Sequence, residues 1–148
     1  MHRLAQESIC LNAALPEVFK YVTDLNNFSE WFPEVQEFKE THSSPAGTIG
    51  KTYAEKVFLE GDTATEIIVE VVEYVEDEKI VTQAEFNPLL PRMEINFIPV
   101  NTTITEIIWN MDSRNEEEDF LRNTLPMMQS IISERANKGL TNLKIKFG

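Results

Sequence analysis

The longest regular hydrophobic pattern in the chain covers residues 124–147, close to the C-terminal end. Apolar residues recur there at steps of three or four positions, which is typical of an amphipathic helix that buries one face. Pro126 suits the first turn of such a helix, where its missing N–H would have no partner. The pattern therefore predicts one long helix whose buried stripe is formed by Leu125, Met128, Ile132, Ala136, Leu140, Leu143 and Phe147.

Most of the remaining chain alternates between apolar and polar positions, as half-buried strands do. The first predicted strand covers residues 7–12, and further strands are predicted at 35–41, 51–59, 63–75, 80–86, 93–97 and 103–111. The last four of these follow one another through turns and predict an antiparallel meander. The pattern of residues 115–123 predicts either a short helix or a frayed start of the long one.

Directly after the first strand, the spacing of apolar residues changes from the two-residue period of a strand to that of a helix. Pro16 can begin a short helix that carries Val18, Phe19 and Val22, and polar residues 24–27 should end it. A second short helix is predicted around residues 28–32, because Pro33 forces extended backbone after it. Strands grouped together, with helices segregated to one side, give an α+β architecture.

The register of the hairpin formed by residues 51–59 and 63–75 decides which side chains face inward. A three-residue turn, Glu60–Gly61–Asp62 by sequence, places Val57 opposite Thr65 and directs Glu55 toward the core. A two-residue turn would reverse the first arm. We favour the three-residue turn because it buries Tyr53, Val57 and Leu59 and leaves the Lys56–Glu66 pair in water.

Composition limits the classes of partner. The 148 residues, 42% of them hydrophobic, fit one domain that covers 1–148. With 13 basic and 25 acidic residues the net charge is −12, which disfavours nucleic acid and anionic lipid surfaces as partners. No apolar run reaches the length of a membrane span and residues 1–12 do not resemble a signal peptide, so we expect no membrane insertion and a cytoplasmic location.

Cysteine and histidine usage restricts the chemistry further. Cys10 is the single cysteine, so it has no internal disulfide partner and is expected to be an inert thiol. His2 and His42 are the only histidines, which makes a histidine-based metal site or a Ser/His/Asp triad hard to build. We expect no metal site and no cofactor.

One stretch resembles a known superfamily. The opening signature of the START-like, or SRPBCC, superfamily is similar to ALPEVFKYVTDLNNFSEWFPEVQEF, and later family landmarks are similar to GTIGKTYAEK, VEVVEYVEDEKIV and GLTNLK. The chain most resembles the group of polyketide cyclase/dehydrase and lipid transport proteins. The resemblance implies a helix-grip fold, in which a curved antiparallel sheet of six to seven strands wraps around the C-terminal helix, and a cavity between them that holds apolar molecules.

This implied cavity defines the candidate ligand-binding residues. They are large apolar or aromatic side chains on the inward face of the strands, the second short helix and the long helix: Trp31, Phe32, Tyr53, Phe86, Met93, Phe97, Trp109, Met128, Ile131 and Ile132. Methionine suits a surface that must fit an irregular ligand. Any one of these residues can instead be an ordinary core residue.

Three functions remain open from the sequence. The first is binding of a small hydrophobic or amphipathic ligand, such as a lipid, a quinone or a polyketide-like molecule. The second is an enzyme of the cyclase or dehydratase type, in which a buried Glu55 with a raised pKa acts as general acid or base beside Tyr53. The third is a protein-interaction module that resembles the Hsp90 activators.

Overall fold

The chain forms one antiparallel sheet that packs against a long C-terminal helix. The computed structural model describes residues 1–58 and 63–148. Helix α1 (Leu15–Thr23), a 3₁₀ turn (Leu25–Asn27) and helix α2 (Phe28–Trp31) follow the first strand, and a π-helical turn (Phe120–Thr124) leads into α3 (Leu125–Phe147). The strands are β1 (His2–Leu11), β2 (Val35–Glu40), β3 (Thr52–Phe58), β4 (Ala64–Val75), β5 (Lys79–Ala84), β6 (Pro91–Pro99) and β7 (Thr105–Ser113).

All seven strands belong to one sheet in the order β1-β7-β6-β5-β4-β3-β2. Every neighbouring pair is antiparallel. The register shifts within the β1–β7, β2–β3 and β4–β5 pairs, and such bulges bend a sheet. The curved sheet, the long helix and the two short helices after β1 confirm the predicted helix-grip fold.

The predicted register of the β3–β4 hairpin is confirmed. Val57 lies opposite Thr65, and Lys56 lies opposite Glu66. Val57 is buried from β3, and Ile67 is buried from β4. The predicted turn residues and Leu59 lie outside the described residues.

The first strand begins earlier than the alternation predicts, at His2 instead of residue 7. The reason is the register shift between Arg3 and Ala5. Leu4 and Ala5 are both buried although they are adjacent, so the two-residue period that identifies a strand is broken at this point. The periodic part of β1 was therefore the only part that the pattern could reveal.

The long helix is confirmed, and its approach is a π-helical turn. The Leu125 N–H donates to the Phe120 carbonyl, five residues earlier. A proline inside a regular α-helix clashes with the carbonyl four residues before it. The wider turn directly before Pro126 lets the helix run on from the residues that precede it.

The C-terminal two thirds of α3 supply its packed face, formed by Ile132, Ala136, Gly139, Leu140 and Leu143. Gly139 is a close-packing position, because a Cβ built there lies 3.1 Å from the Phe32 ring and 3.4 Å from the Trp31 ring. Between Leu121 and Ile131, by contrast, no helix residue is buried. No helix in the described part of the chain is long and apolar enough to cross a membrane.

Candidate functional site

A small cavity lies between the sheet and α3. Its free volume is about 80 Å³, and one water molecule needs roughly 10–15 Å³ of such space. The cavity therefore accommodates the end of a molecule and not a whole lipid. Most of its lining is apolar and comes from α2, β2 to β7, the β5–β6 loop and α3, including Phe28, Phe32, Phe38, Val57, Ile67, Val69, Leu89, Met93, Met111 and Ile132.

Among the residues that the structure describes, two charged side chains line this inner cavity, Glu55 from β3 and Arg135 from α3. Burial raises the pKa of the Glu55 carboxyl to about 7, and the positive charge of Arg135 opposes that rise only in part. The Arg135 guanidinium donates through Nη2 to the Phe58 carbonyl at 2.8 Å. The cavity thus combines an apolar body with one carboxyl group that titrates near neutral pH and one fixed cation.

A wider groove lies beside the cavity, along the unburied start of α3. Its free volume is about 460 Å³. The lining is mainly apolar, with threonines at the edge: Thr63, Thr65, Phe86, Pro88, Leu89, Phe120, Thr124, Met127, Met128 and Ile131. Flexible methionine side chains suit a surface that adapts to its ligand.

The predicted site residues divide into three sets. Phe32, Glu55, Met93 and Ile132 line the inner cavity, and Phe86, Met128 and Ile131 line the outer groove. Trp31, Tyr53, Phe97 and Trp109 are buried but line neither space.

An aromatic layer explains the placement of Tyr53 and Trp109. The Phe32 ring stacks on the Trp109 indole at 5.2 Å between centroids, and the Phe38 ring lies 5.3 Å from the Tyr53 ring. Phe28 joins the two halves, at 4.9 Å from Phe32 and 5.0 Å from Phe38. Since Phe28, Phe32 and Phe38 line the cavity and Tyr53 and Trp109 do not, the three phenylalanines screen the other two rings from it.

Several buried polar atoms of aromatic side chains have no hydrogen-bond partner among the described residues. They include the Tyr53 hydroxyl and the indole nitrogens of Trp31 and Trp109. Burial raises the pKa of Tyr53 to about 12, so this phenol stays protonated at neutral pH. Tyr53 and Glu55 share an inward face, yet only Glu55 lines the cavity.

Sequence reasoning missed Arg135 and Leu89. Arg135 follows Ile132 by three positions and so shares its helix face, but a charged residue next to an apolar stripe is usually a surface residue. Leu89 lies in a loop between two prolines, where no periodicity assigns an inward direction. Among the described residues, no group of three or more histidine, cysteine, aspartate or glutamate side chains is arranged to hold a metal ion.

Comparisons with known proteins agree with this architecture. A family model described as "Polyketide cyclase / dehydrase and lipid transport" matches residues 2–148. The chain is similar to the structure of a START superfamily protein from Mycobacterium smegmatis, with a TM-score of 0.79 and 15% identity over 99% of this chain and 97% of that one. A solution structure of a protein from Thermobifida fusca gives a TM-score of 0.76 and 17% identity over 97% of this chain and 92% of that one.

The chain is also similar to part of StfQ, a di-domain ARO/CYC protein from the steffimycin biosynthetic pathway. The TM-score is 0.69 at 13% identity, over 95% of this chain and 48% of that one. At such low identities these similarities show the shared fold. No curated protein sequence gives a significant match to the chain.

Proposed function

The chain belongs to the polyketide cyclase / dehydrase and lipid transport family, and from this premise we propose that it binds one small amphipathic molecule between its sheet and α3. The apolar body of the molecule lies in the outer groove, and its polar end reaches Glu55 and Arg135 in the inner cavity. Lipids, quinones and polyketide-like molecules all have this division into an apolar body and an oxygen-bearing end.

The observation that carries this proposal is the placement of two charged groups in a cavity whose lining is mostly apolar. Apolar lining supplies most of the binding free energy, and a few polar groups fix the orientation of a ligand. Arg135 offers N–H donors to a carboxylate or a carbonyl oxygen. Protonated Glu55 can donate a hydrogen bond to the same kind of oxygen.

The protonation state of Glu55 makes the proposal testable with a simple anionic probe. Below the pKa of about 7 the carboxyl is neutral, and above it the carboxylate repels another anion near Arg135. Decanoate, which carries an alkyl chain and one carboxylate, should therefore bind more tightly at about pH 6 than at about pH 8. Decanol has no charge and should show no such difference.

The experiment is isothermal titration of both probes into the protein and three variants. Arg135→Gln should weaken decanoate binding about tenfold or more, which corresponds to ~1.4 kcal/mol, and should affect decanol less. Glu55→Gln should remove the pH dependence. Arg122→Gln is the matched control, because Arg122 is 70% exposed, pairs with Glu118 and lines neither space.

The proposal is wrong if neither probe binds, or if Arg122→Gln weakens decanoate binding as much as Arg135→Gln does. Native mass spectrometry of the purified protein, followed by extraction, would identify a natural ligand. The expected result is a bound molecule with one oxygen-bearing end.

The pKa of Glu55 favours a second candidate, an enzyme of the cyclase or dehydratase type. A carboxyl group with a pKa of about 7 is suited to proton transfer at neutral pH. In a dehydration, the Glu55 carboxylate would take the proton next to a carbonyl group. The β-hydroxyl would leave with that proton as water, and a carbon–carbon double bond would form.

This candidate is tested with a β-hydroxyketone that carries an aromatic ring, since loss of water gives a conjugated product with a new ultraviolet absorption. Glu55→Gln should abolish that absorption change, whereas Glu94→Gln, a change on the opposite face of the sheet by strand parity, should retain it. Equal rates in all three proteins would remove the enzymatic role. The proposed function would then be ligand binding without catalysis.

A further inference from the structure

The loop that joins β5 to β6, residues 85–90, lies between the inner cavity and the outer groove. Leu89 is 6% exposed. Its side chain lines both spaces, and among the described residues no other side chain does so. Leu89 is therefore part of the wall that separates the groove from Glu55 and Arg135.

The backbone of this loop is held in place by the end of β7 and the residues that follow it. The Ser113 hydroxyl donates to the Leu89 carbonyl at 2.6 Å, and the side-chain amide of Asn115 donates to the Pro88 carbonyl at 2.7 Å. Ser113 and Asn115 are both buried. Hydrogen bonds formed by buried groups are costly to break, because the separated partners are not solvated.

Arg114, between these two residues, holds the rest of the loop. Its backbone N–H donates to the Leu90 carbonyl at 3.0 Å. Its guanidinium donates to the Ala84 carbonyl at 2.6 Å and to the Glu85 carboxylate at 2.9 Å. Three consecutive residues thus hold the loop from its first residue to its last.

The loop also contains a residue in a left-handed backbone conformation. Leu90 has a φ of 44°, which costs energy for a residue with a side chain. Its N–H donates to the Phe86 carbonyl at 2.7 Å. Together these hydrogen bonds fix the backbone of residues 88–90, which carries the Leu89 side chain in the wall.

We propose that Leu89 is the selectivity residue of the ligand site: a movable side chain on a fixed backbone that closes the inner cavity toward the outer groove. A ligand end reaches Glu55 and Arg135 only when this side chain turns aside. The opening then admits a narrow group, such as a carboxylate or a single carbonyl on an alkyl chain, and excludes a fused ring system. The role of Leu89 in ligand selection rests on the proposed ligand site, but its closure of the inner cavity is measured without any ligand.

Thiol labelling measures the closure directly. Cys10 is the only cysteine and is exposed, so Cys10→Ser gives a protein without thiols. Thr82→Cys in that background places one thiol in the inner cavity, at a position that is 3% exposed. Two reagents of different width, methyl methanethiosulfonate and N-phenylmaleimide, then report how wide the opening is.

The expected result is slow labelling at position 82, much slower for the wide reagent. Adding Leu89→Ala should raise the N-phenylmaleimide rate at least about tenfold and the rate of the narrow reagent less, since labelling of a buried site follows the population of the open state. Leu89→Met keeps the bulk of the side chain and should leave both rates within about twofold. Ser113→Ala releases the Leu89 carbonyl and should raise the rates by an intermediate factor.

A control separates an opened wall from a loosened core. Ile95→Cys in the Cys10→Ser background places a thiol at a position that is 0% exposed and lines neither space. Leu89→Ala should not accelerate labelling there. Equal acceleration at positions 82 and 95, or none at 82, would overturn the proposal.

Met128→Ala is the control for the groove, because Met128 lines only the outer space. It should leave labelling at position 82 unchanged. Titration with decanoate tests the proposed function separately. If labelling shows the closure but no amphipathic probe binds, the proposed ligand site is wrong and the closure by Leu89 is retained. If a probe binds but labelling shows no closure, the ligand site is retained and the closure is wrong.

Discussion

The Phe32 ring lies on the Trp109 indole, with centroids 5.2 Å apart and an angle of 28° between the ring planes. One face of Phe32 thus contacts a buried strand residue, while the same side chain lines the inner cavity. The ring is 8% exposed. The inner end of the candidate site is therefore the surface of the aromatic core.

Phe32→Ala should destabilise the fold and enlarge the inner cavity. Loss of a buried phenylalanine costs about 3–5 kcal/mol, which urea denaturation would measure as a lower midpoint at an unchanged slope. The control is Phe147→Ala at the end of α3, a partly buried ring that lines neither space. We expect a smaller loss there. A cost for Phe32→Ala below that for Phe147→Ala would contradict the central role of the aromatic layer.

Gly139→Val should destabilise the contact between α3 and α2. The added branched side chain meets the Phe32 and Trp31 rings, where even one Cβ has contacts of 3.1 and 3.4 Å. Overpacking of this kind costs about 1–3 kcal/mol. Asn137→Val, at an exposed position of the same helix, carries only the weak helix preference of valine. Thermal unfolding of both variants separates the cost of overpacking at position 139 from the helix preference of valine. Similar melting temperatures would argue against a tight contact at Gly139.

Glu55 should make stability fall as the pH rises toward 7. Its pKa in the folded protein is about 7, above the ordinary value of 4.5. Below 4.5 both states carry a protonated carboxyl, and the group costs nothing. Between 4.5 and 7 the unfolded state loses its proton first and is favoured, and above 7 the cost is constant.

The measurement for this prediction is the free energy of unfolding of the wild type and of Glu55→Gln at several pH values. The difference should be near zero at about pH 4 and should grow to at most about 3 kcal/mol in favour of the variant above pH 7. Glu66→Gln is the control, because Glu66 is exposed and lies on β4 next to Ile67, the residue opposite Glu55. A difference that does not change with pH would show that Glu55 ionises normally in the folded protein.

Lys51 should be a structural cation that holds the loop before β3. Its side chain is 2% exposed, and its ammonium group donates to the Glu40 carboxylate and the Ser44 carbonyl. Lys51→Met leaves both acceptors without this donor and should lower the melting temperature by several degrees. Lys56→Met is the matched control, since Lys56 is 45% exposed and lies 3.7 Å from its partner Glu37, a pair of a kind that contributes about 0–1 kcal/mol. Equal melting temperatures for the two variants would contradict this role.

Local pattern determined most of the fold. The period of two identified six of the seven strands with small errors at their ends, and the three- and four-residue steps identified α3. The register of β3 against β4 also followed from sequence, because the alternative would have exposed Val57 and buried Lys56. Burial acts on each side chain according to its position along an element, so a repeating pattern carries that information.

Only the tertiary structure decided which inward residues line a space and which fill the core. Phe32 and Trp109 are both aromatic, inward and buried. Phe32 lines the cavity, whereas Trp109 lies behind it, because the Phe32 ring stacks directly on the Trp109 indole. Arg135 and Leu89 reach the site through the crossing of α3 over the sheet and the path of an irregular loop. Those placements depend on distances between elements far apart in the chain, and no local period records them.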